Sequence, residues 1–158
     1  MAASLIRPGR KEWSSTRSRE QVRWDWVTLW QAKAEEDVVA GDLILKGSMP
    51  SYETVSFHAQ QAAEKALKAL LIRYEVDFSK THNLGQLLRL TEPVAPGITK
   101  KLADAEVLTP YAVDARYPSE EPPVNREEAA RHLAVARRLC EYVGALLKPY
   151  VDAGRPDG

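Results

Sequence analysis

From Trp24 onward, apolar residues recur at three- and four-residue intervals, and no stretch sustains the alternate-residue pattern of a half-buried strand. The pattern predicts helices throughout. The first runs from about Trp24 to Leu45, with Val27, Trp30, Ala34, Val38, Gly41 and Leu45 on one face. A glycine inside a helix costs ~1 kcal/mol relative to alanine, so Gly41 marks a place where a neighbouring helix comes close. Pro50 and Ser51 open a second helix that lasts to about Tyr74, with Ser51 as N-cap and Glu53 in its first turn. Ala59, Ala62, Ala63, Ala66 and Ala69 give it a small-residue surface suited to the centre of a bundle. Thr81 is the expected cap of a third helix carrying Leu84, Leu87, Leu88 and Leu90, which Pro93 closes. A fourth starts near Ile98 and passes through Leu102, Ala105 and Leu108, with Pro110 kinking or breaking it before Tyr111 to Arg116. Pro118, Pro122 and Pro123 make the next segment a stiff loop. Asn125 caps the last helix, whose apolar repeat runs from Ala129 to Leu147 before Pro149 ends it. The fold class read from this pattern is all-α, an antiparallel up-and-down bundle of four main helices plus a short fifth.

At 158 residues the chain fits one domain, and a globule of this size buries roughly 70% of its unfolded surface without needing staples. Three parts are expected: a basic extension over 1–23, the bundle over 24–150, and a fraying end over 151–158. Twenty-two basic residues balance 22 acidic ones, which removes the overall positive field of a nucleic-acid binder. Six of the basic residues and only two of the acidic ones lie within 1–23, so the body is acidic. Cys140, the single cysteine, excludes an internal disulfide and falls on the apolar repeat of the last helix as a small core residue. No apolar run approaches the ~18 residues of a membrane span, and no signal-peptide core follows Met1. A cytoplasmic protein is the expectation.

Several fragments, taken in order, carry a family likeness. Trp30, Ala34, Asp37 and Ala40 lie on the first helix; Phe57-His-Ala-Gln-Gln-Ala-Ala-Glu-Lys-Ala-Leu-Lys-Ala69 on the second; Thr81-His-Asn-Leu-Gly-Gln-Leu-Leu88 opens the third; Arg116-Tyr117-Pro118 follows the fourth. With the last amphipathic helix after them, they give a match over residues 26 to 147 that resembles the HEPN domain, a small all-helical module. The resemblance implies one of two roles. Many HEPN domains cleave RNA with an Arg, four to six residues and a His, set in a composite site across a dimer. Others lack that motif, accompany a minimal nucleotidyltransferase and are associated with nucleotide binding.

Arg116 stands at the position of the motif's Arg, but no His follows it in Tyr-Pro-Ser-Glu-Glu-Pro-Pro. Arg126 with His132 meets the spacing, yet six residues of helix turn through about 600° and point the two side chains about 120° apart. Metal-independent RNA cleavage needs a base near the 2′-hydroxyl and a cation for the developing charge. Arg116 alone supplies only the cation. The candidate phosphate contacts are Arg116 and Tyr117 on the proline-stiffened loop, Lys65 and Lys68 on the second helix, and His82. Each has a plain structural alternative. Lys68 forms an i,i+4 pair with Glu64 on a solvated face, His82 caps its helix or bonds a carboxylate, and Arg116 ties the loop to a carboxylate such as Asp37. His58 has no ligand-spaced neighbours and reads as structural, so neither a metal nor a cofactor is expected.

The long apolar faces of the first and last helices, more than one bundle of this length hides, lead to a homodimer; the resemblance and the charges make it one that binds a nucleotide and partners a minimal nucleotidyltransferase in a toxin–antitoxin-like pair. A HEPN-type ribonuclease and a non-catalytic dimerisation module are the alternatives. RNA binding through the short basic tail, with Trp13 and Trp24, ranks behind these. Activity of the chain's own is left open.

Overall fold

The first long helix, α1 (Arg19–Lys46), begins where the Ser18 hydroxyl accepts a bond from the Gln21 amide and the Gln21 side chain accepts one from the Ser18 amide. This capping box satisfies two orphan donors at once, and it starts the helix five residues before Trp24. Apolar periodicity alone does not register that start, because Arg19, Glu20 and Arg23 carry it. The computed structural model describes residues 16–113, 118 and 120–157; Arg116 and Tyr117 lie outside them.

α2 (Tyr52–Arg73) occupies the centre of the molecule. Val55, Ala59, Ala62, Ala63, Ala69, Leu67, Leu70 and Leu71 are all without solvent exposure, and the alanines let α1 and the last helix approach from either side. Ser51 sits at its N-cap position, but its hydroxyl bonds the Thr54 hydroxyl at 2.7 Å instead of a backbone amide, which corrects the expected cap. At the other end the Val76 amide reaches back to the Leu71 carbonyl and Glu75 takes φ 54°. That left-handed residue, usually glycine, turns the chain so that residues 76–83 climb back along α2.

α3 (Leu84–Thr91) is capped by Asn83, not Thr81: the Asn83 carboxamide accepts from the Gln86 amide at 2.9 Å. Thr81 accepts instead from the Asn83 amide. The expected fourth helix is a single turn, α4 (Ile98–Lys101), followed by a 3-10 helix (Ala103–Ala112) that passes through Pro110 without breaking. Leu102, Ala105 and Leu108 are buried at a constant step of three. Three residues per turn lines them on one face, which an α-helix would not do. α5 (Arg126–Asp152) starts with a capping box between Asn125 and Glu128 and continues through Pro149. Pro149 and Ala145 are both exposed, so the hydrogen bond that Pro149 cannot make is lost on the outer side of the helix and not in the core.

Contacts between the elements set their directions. Gly41 lies beside His58 and Trp30 beside Lys68, so α1 and α2 run antiparallel. Gly41 also meets Leu133, while Asp25 meets Arg155, so α5 is antiparallel to α1. Ser56 with His132, Ala62 with Cys140 and Arg73 with Tyr150 make α2 and α5 parallel. The expected four main helices plus a short fifth therefore become three long helices, with α3 and the 3-10 helix packed against α2 and the single turn α4 against α3. Among the described residues every regular element is helical. The stretch after α5, expected to fray, folds back on α1: the Gln21 side chain donates to the Pro156 carbonyl at 3.0 Å, and Arg155 holds Asp25 with two bonds.

Candidate functional site

The polar groups of the resemblance converge on two buried carboxylates, Glu64 and Asp37. Glu64 and Lys68 lie one turn apart on α2 and bond at 2.7 Å, with side chains only 7% and 4% exposed. The solvated face expected for this pair is thus wrong. α1 and the returning segment after α2 cover it, and the Lys68 ammonium lies 5.9 Å from the Trp30 ring and 5.7 Å from the Phe78 ring. Aromatic faces favour a desolvated cation. Gln60, one turn earlier, donates to the second oxygen of Glu64 at 2.8 Å and to the His82 carbonyl at 3.3 Å. His82 Nδ1 stands 3.0 Å from the same oxygen. Burial pushes the Glu64 carboxyl upward, but bonds from Lys68 and Gln60, the Lys68 charge and His82 outweigh it and hold the pKa below the usual value. This cluster pins the loop before α3 to the middle of α2.

A second cluster joins α1 to α2. Asp37 is 8% exposed; His58 Nδ1 contacts one of its oxygens at 2.8 Å and Lys65 bonds the other. Both oxygens of Asp37 are therefore engaged within the bundle. Lys65 remains partly exposed at its rim, with a quarter of its side chain accessible.

A third cluster sits where α2 meets α5. Ser56, fully buried, exchanges a 2.8 Å bond with His132 Nδ1, and Tyr111 from the 3-10 helix lies against the imidazole at 4.8 Å between ring centroids. Burial holds the His132 pKa below the ordinary value, with Glu128 acting against it and Arg131 with it. Burial, with Glu128 and Glu53, also raises that of Tyr111. Arg126, by contrast, is exposed in the first turn of α5. The structure turns His132 inward and leaves Arg126 outward.

Of the residues proposed from sequence, Lys68 and His82 meet at Glu64 and Lys65 goes to Asp37. Arg126 and His132 are not brought together as a pair, and Arg116 and Tyr117 lie outside the described residues. The reading of the sequence missed Gln60, Ser56 and Tyr111. Gln60 was detectable, since Gln60, Glu64 and Lys68 recur at four-residue steps on a helix otherwise rich in Ala and Leu. Ser56 and Tyr111 gave no such signal, being brought to His132 only by packing.

A hollow of about 320 Å³ lies elsewhere, between α1 and α5 over Ala66, with Gln31, Glu35, Cys140 and Gly144 among its walls. It has no cation and so does not suit a phosphate. Burial pushes the Cys140 thiol up to about 12, leaving it an inert packing residue that bonds the Ala62 carbonyl. Among the described residues no group of three His, Cys, Asp or Glu side chains is placed to hold a metal, and no helix is long and apolar enough to cross a membrane.

The HEPN domain family model matches residues 27–146. Comparison with curated proteins and with solved structures gave no match. The matched span takes in the Asp37 cluster on α1, the Gln60–Glu64–Lys68 ladder on α2, His82, the 3-10 helix and His132. With three quarters of its length inside that match, and the polar residues of the resemblance joined at Asp37 and Glu64, the chain belongs to the HEPN domain family.

Proposed function

We propose that this protein is a non-catalytic HEPN module of the cytoplasm. In this reading it binds a nucleotide-like anion and partners a minimal nucleotidyltransferase in a toxin–antitoxin-like pair. One observation carries the choice against the ribonuclease alternative: His132 is buried, bonded to Ser56 and covered by Tyr111, while Arg126 faces solvent. A general base needs reach to the proton it removes, and a cation needs reach to the same phosphate. This pair offers no common point for both.

Anion binding then rests on fewer groups than the sequence offers. Lys68 is consumed by Glu64, so the contacts fall to Arg116 and Tyr117 on the proline-rich loop, with Lys65 and the exposed edge of His82 in support. Charge-assisted bonds are roughly twice as strong as neutral ones, so Arg116 dominates.

Three measurements test this. Titration calorimetry with ATP, GTP and AMP should show binding that Arg116→Ala weakens about tenfold or more, or 1.4 kcal/mol, and that Lys68→Met at saturating ligand leaves in place. A gel assay on single-stranded and structured RNA should show no cleavage, and a nucleotidyltransferase encoded beside this protein should co-purify with it. RNA cleavage lost on Arg126→Ala or His132→Ala would overturn the reading in favour of the nuclease. Absence of heat with every nucleotide would remove the anion site.

A further inference from the structure

The hollow between α1 and α5 is made by small residues meeting where larger ones would fill the space. Ala34, Ala66 and Val143 line it and are buried, Cys140 and Gly144 form its α5 wall, and Glu35 stands exposed at its rim. Its volume of about 320 Å³ lies at the small end of the ~300–1,000 Å³ range of ligand pockets. Gly144 is the clearest sign that the room is kept. Its backbone is not left-handed, and a Cβ there would meet nothing within 4 Å. Glycine weakens a helix relative to alanine. At Gly41 the approach of Leu133 accounts for it, whereas at Gly144 no neighbour does.

The polar groups around this space say what charge it takes. Gln31 and Glu35 stand one turn apart on α1, and Glu141 stands one turn before Gly144 on α5. Beyond burial, the carboxylates of Glu35, Asp37 and Glu141 all push the Cys140 thiol upward, which places the three near that wall. His58 and Lys65 already engage Asp37. Neither Glu35 nor Glu141 has an ion-pair partner among the described residues. No Lys, Arg or His lines the hollow, so nothing in its walls answers those two charges.

We propose that this hollow binds a short aliphatic diamine. One ammonium is held by the Glu35 carboxylate and the Gln31 side-chain carbonyl, the methylene stem lies over Ala34, Ala66 and Gly144, and the second ammonium reaches Glu141. A primary ammonium carries three donors and no acceptor, which suits a rim of acceptors. Other cations fit less well. Among the described residues no group of three ligands is placed for a metal ion, and no aromatic ring lines the hollow to cage a quaternary ammonium. Carboxylates on both helices favour a free diamine over a lysine side chain, which brings a single charge. The inference is independent of the anion site, since no residue is shared.

Putrescine titrated into the full chain by calorimetry, at low salt where screening is weak, should show saturable binding of one molecule per chain. Glu35→Gln and Glu141→Gln should each weaken it about tenfold or more, or 1.4 kcal/mol. Gly144→Leu should abolish it by filling the hollow, with circular dichroism unchanged because the new side chain has open space to enter. Butylamine, with one ammonium, should bind more weakly than putrescine. Glu127→Gln, which removes an exposed carboxylate at the far end of α5, should leave binding as it is. Absence of saturable heat, binding that Gly144→Leu or both glutamine variants at the rim leave unchanged, an equal loss on Glu127→Gln, or butylamine binding as tightly as putrescine would each overturn the inference.

Discussion

Lys68 shows how far a side chain's role depends on what covers it. In sequence it is one member of a common helical ion pair, worth ~0.3–0.5 kcal/mol on a surface. Here both partners are buried, and the two aromatic rings, Gln60 and His82 complete their surroundings. Removing one member of a buried pair leaves the other charged and unpaired, at about 3–5 kcal/mol. Lys68→Met should therefore destabilise the fold by about 3 kcal/mol in urea unfolding at neutral pH. Adding Glu64→Gln should recover part of that loss, because the stranded charge is gone. A loss under about 1 kcal/mol for the single change would mean that water reaches Glu64 and that the pair behaves as a surface one.

At the scale of elements, two glycines on facing helices should respond to the same substitution with opposite signs. A methyl group added at Gly41 would lie 2.9 Å from Leu133 Cδ1 in the core, between α1 and α5. Overpacking of this kind costs about 1–3 kcal/mol, and because Leu133 is itself buried with little room to yield, the cost falls above the helix-propensity gain of about 1 kcal/mol. At Gly144 on α5 nothing lies within 4 Å, so only the gain remains. Thermal unfolding should show Gly41→Ala less stable than wild type and Gly144→Ala more stable. If both variants shift in the same direction, the close approach at Gly41 is not what selects glycine there. The 3-10 helix illustrates the same dependence on packing, since the three-residue step from Leu102 to Leu108 suits it to the surface of α2 and α5.

For the molecule as a whole, buried ionisable groups set the dependence of stability on pH. The folded His132 has a pKa below its unfolded value of 6.5, so the unfolded chain takes up that proton first as the pH falls. The stability this represents is complete above pH 6.5 and drains away as the pH drops toward the folded value. Glu64 acts the same way lower down: its folded pKa is depressed, so its contribution is present above 4.5 and is lost as the pH falls through the folded value. The melting temperature of the wild type should decline from pH 7.5 to 5.5 and fall again below 4.5. His132→Asn, which keeps a hydrogen-bonding partner for Ser56, should flatten the upper decline and leave the lower one. Equal upper slopes in the two proteins would show that His132 is not its source.

What the sequence determined by itself was local or nearly so. Helix after helix follows from three- and four-residue periodicity, Asn125 announced its own cap, and the ordered polar fragments on the first three helices placed the chain in its family. The fate of those polar groups was decided elsewhere. Glu64 and Lys68 are equally good helix neighbours in water or in a core. They became a buried pair because Glu75 turns the chain back and brings Phe78 and His82 over them. Arg126 and His132 satisfy a spacing rule, yet the rotation of α5 against α2 gives His132 to Ser56 and Arg126 to solvent. Periodicity records which side of a helix is apolar. Which neighbour arrives on that side, and at what depth, is a property of contacts between residues far apart in the chain, and only the tertiary structure holds it.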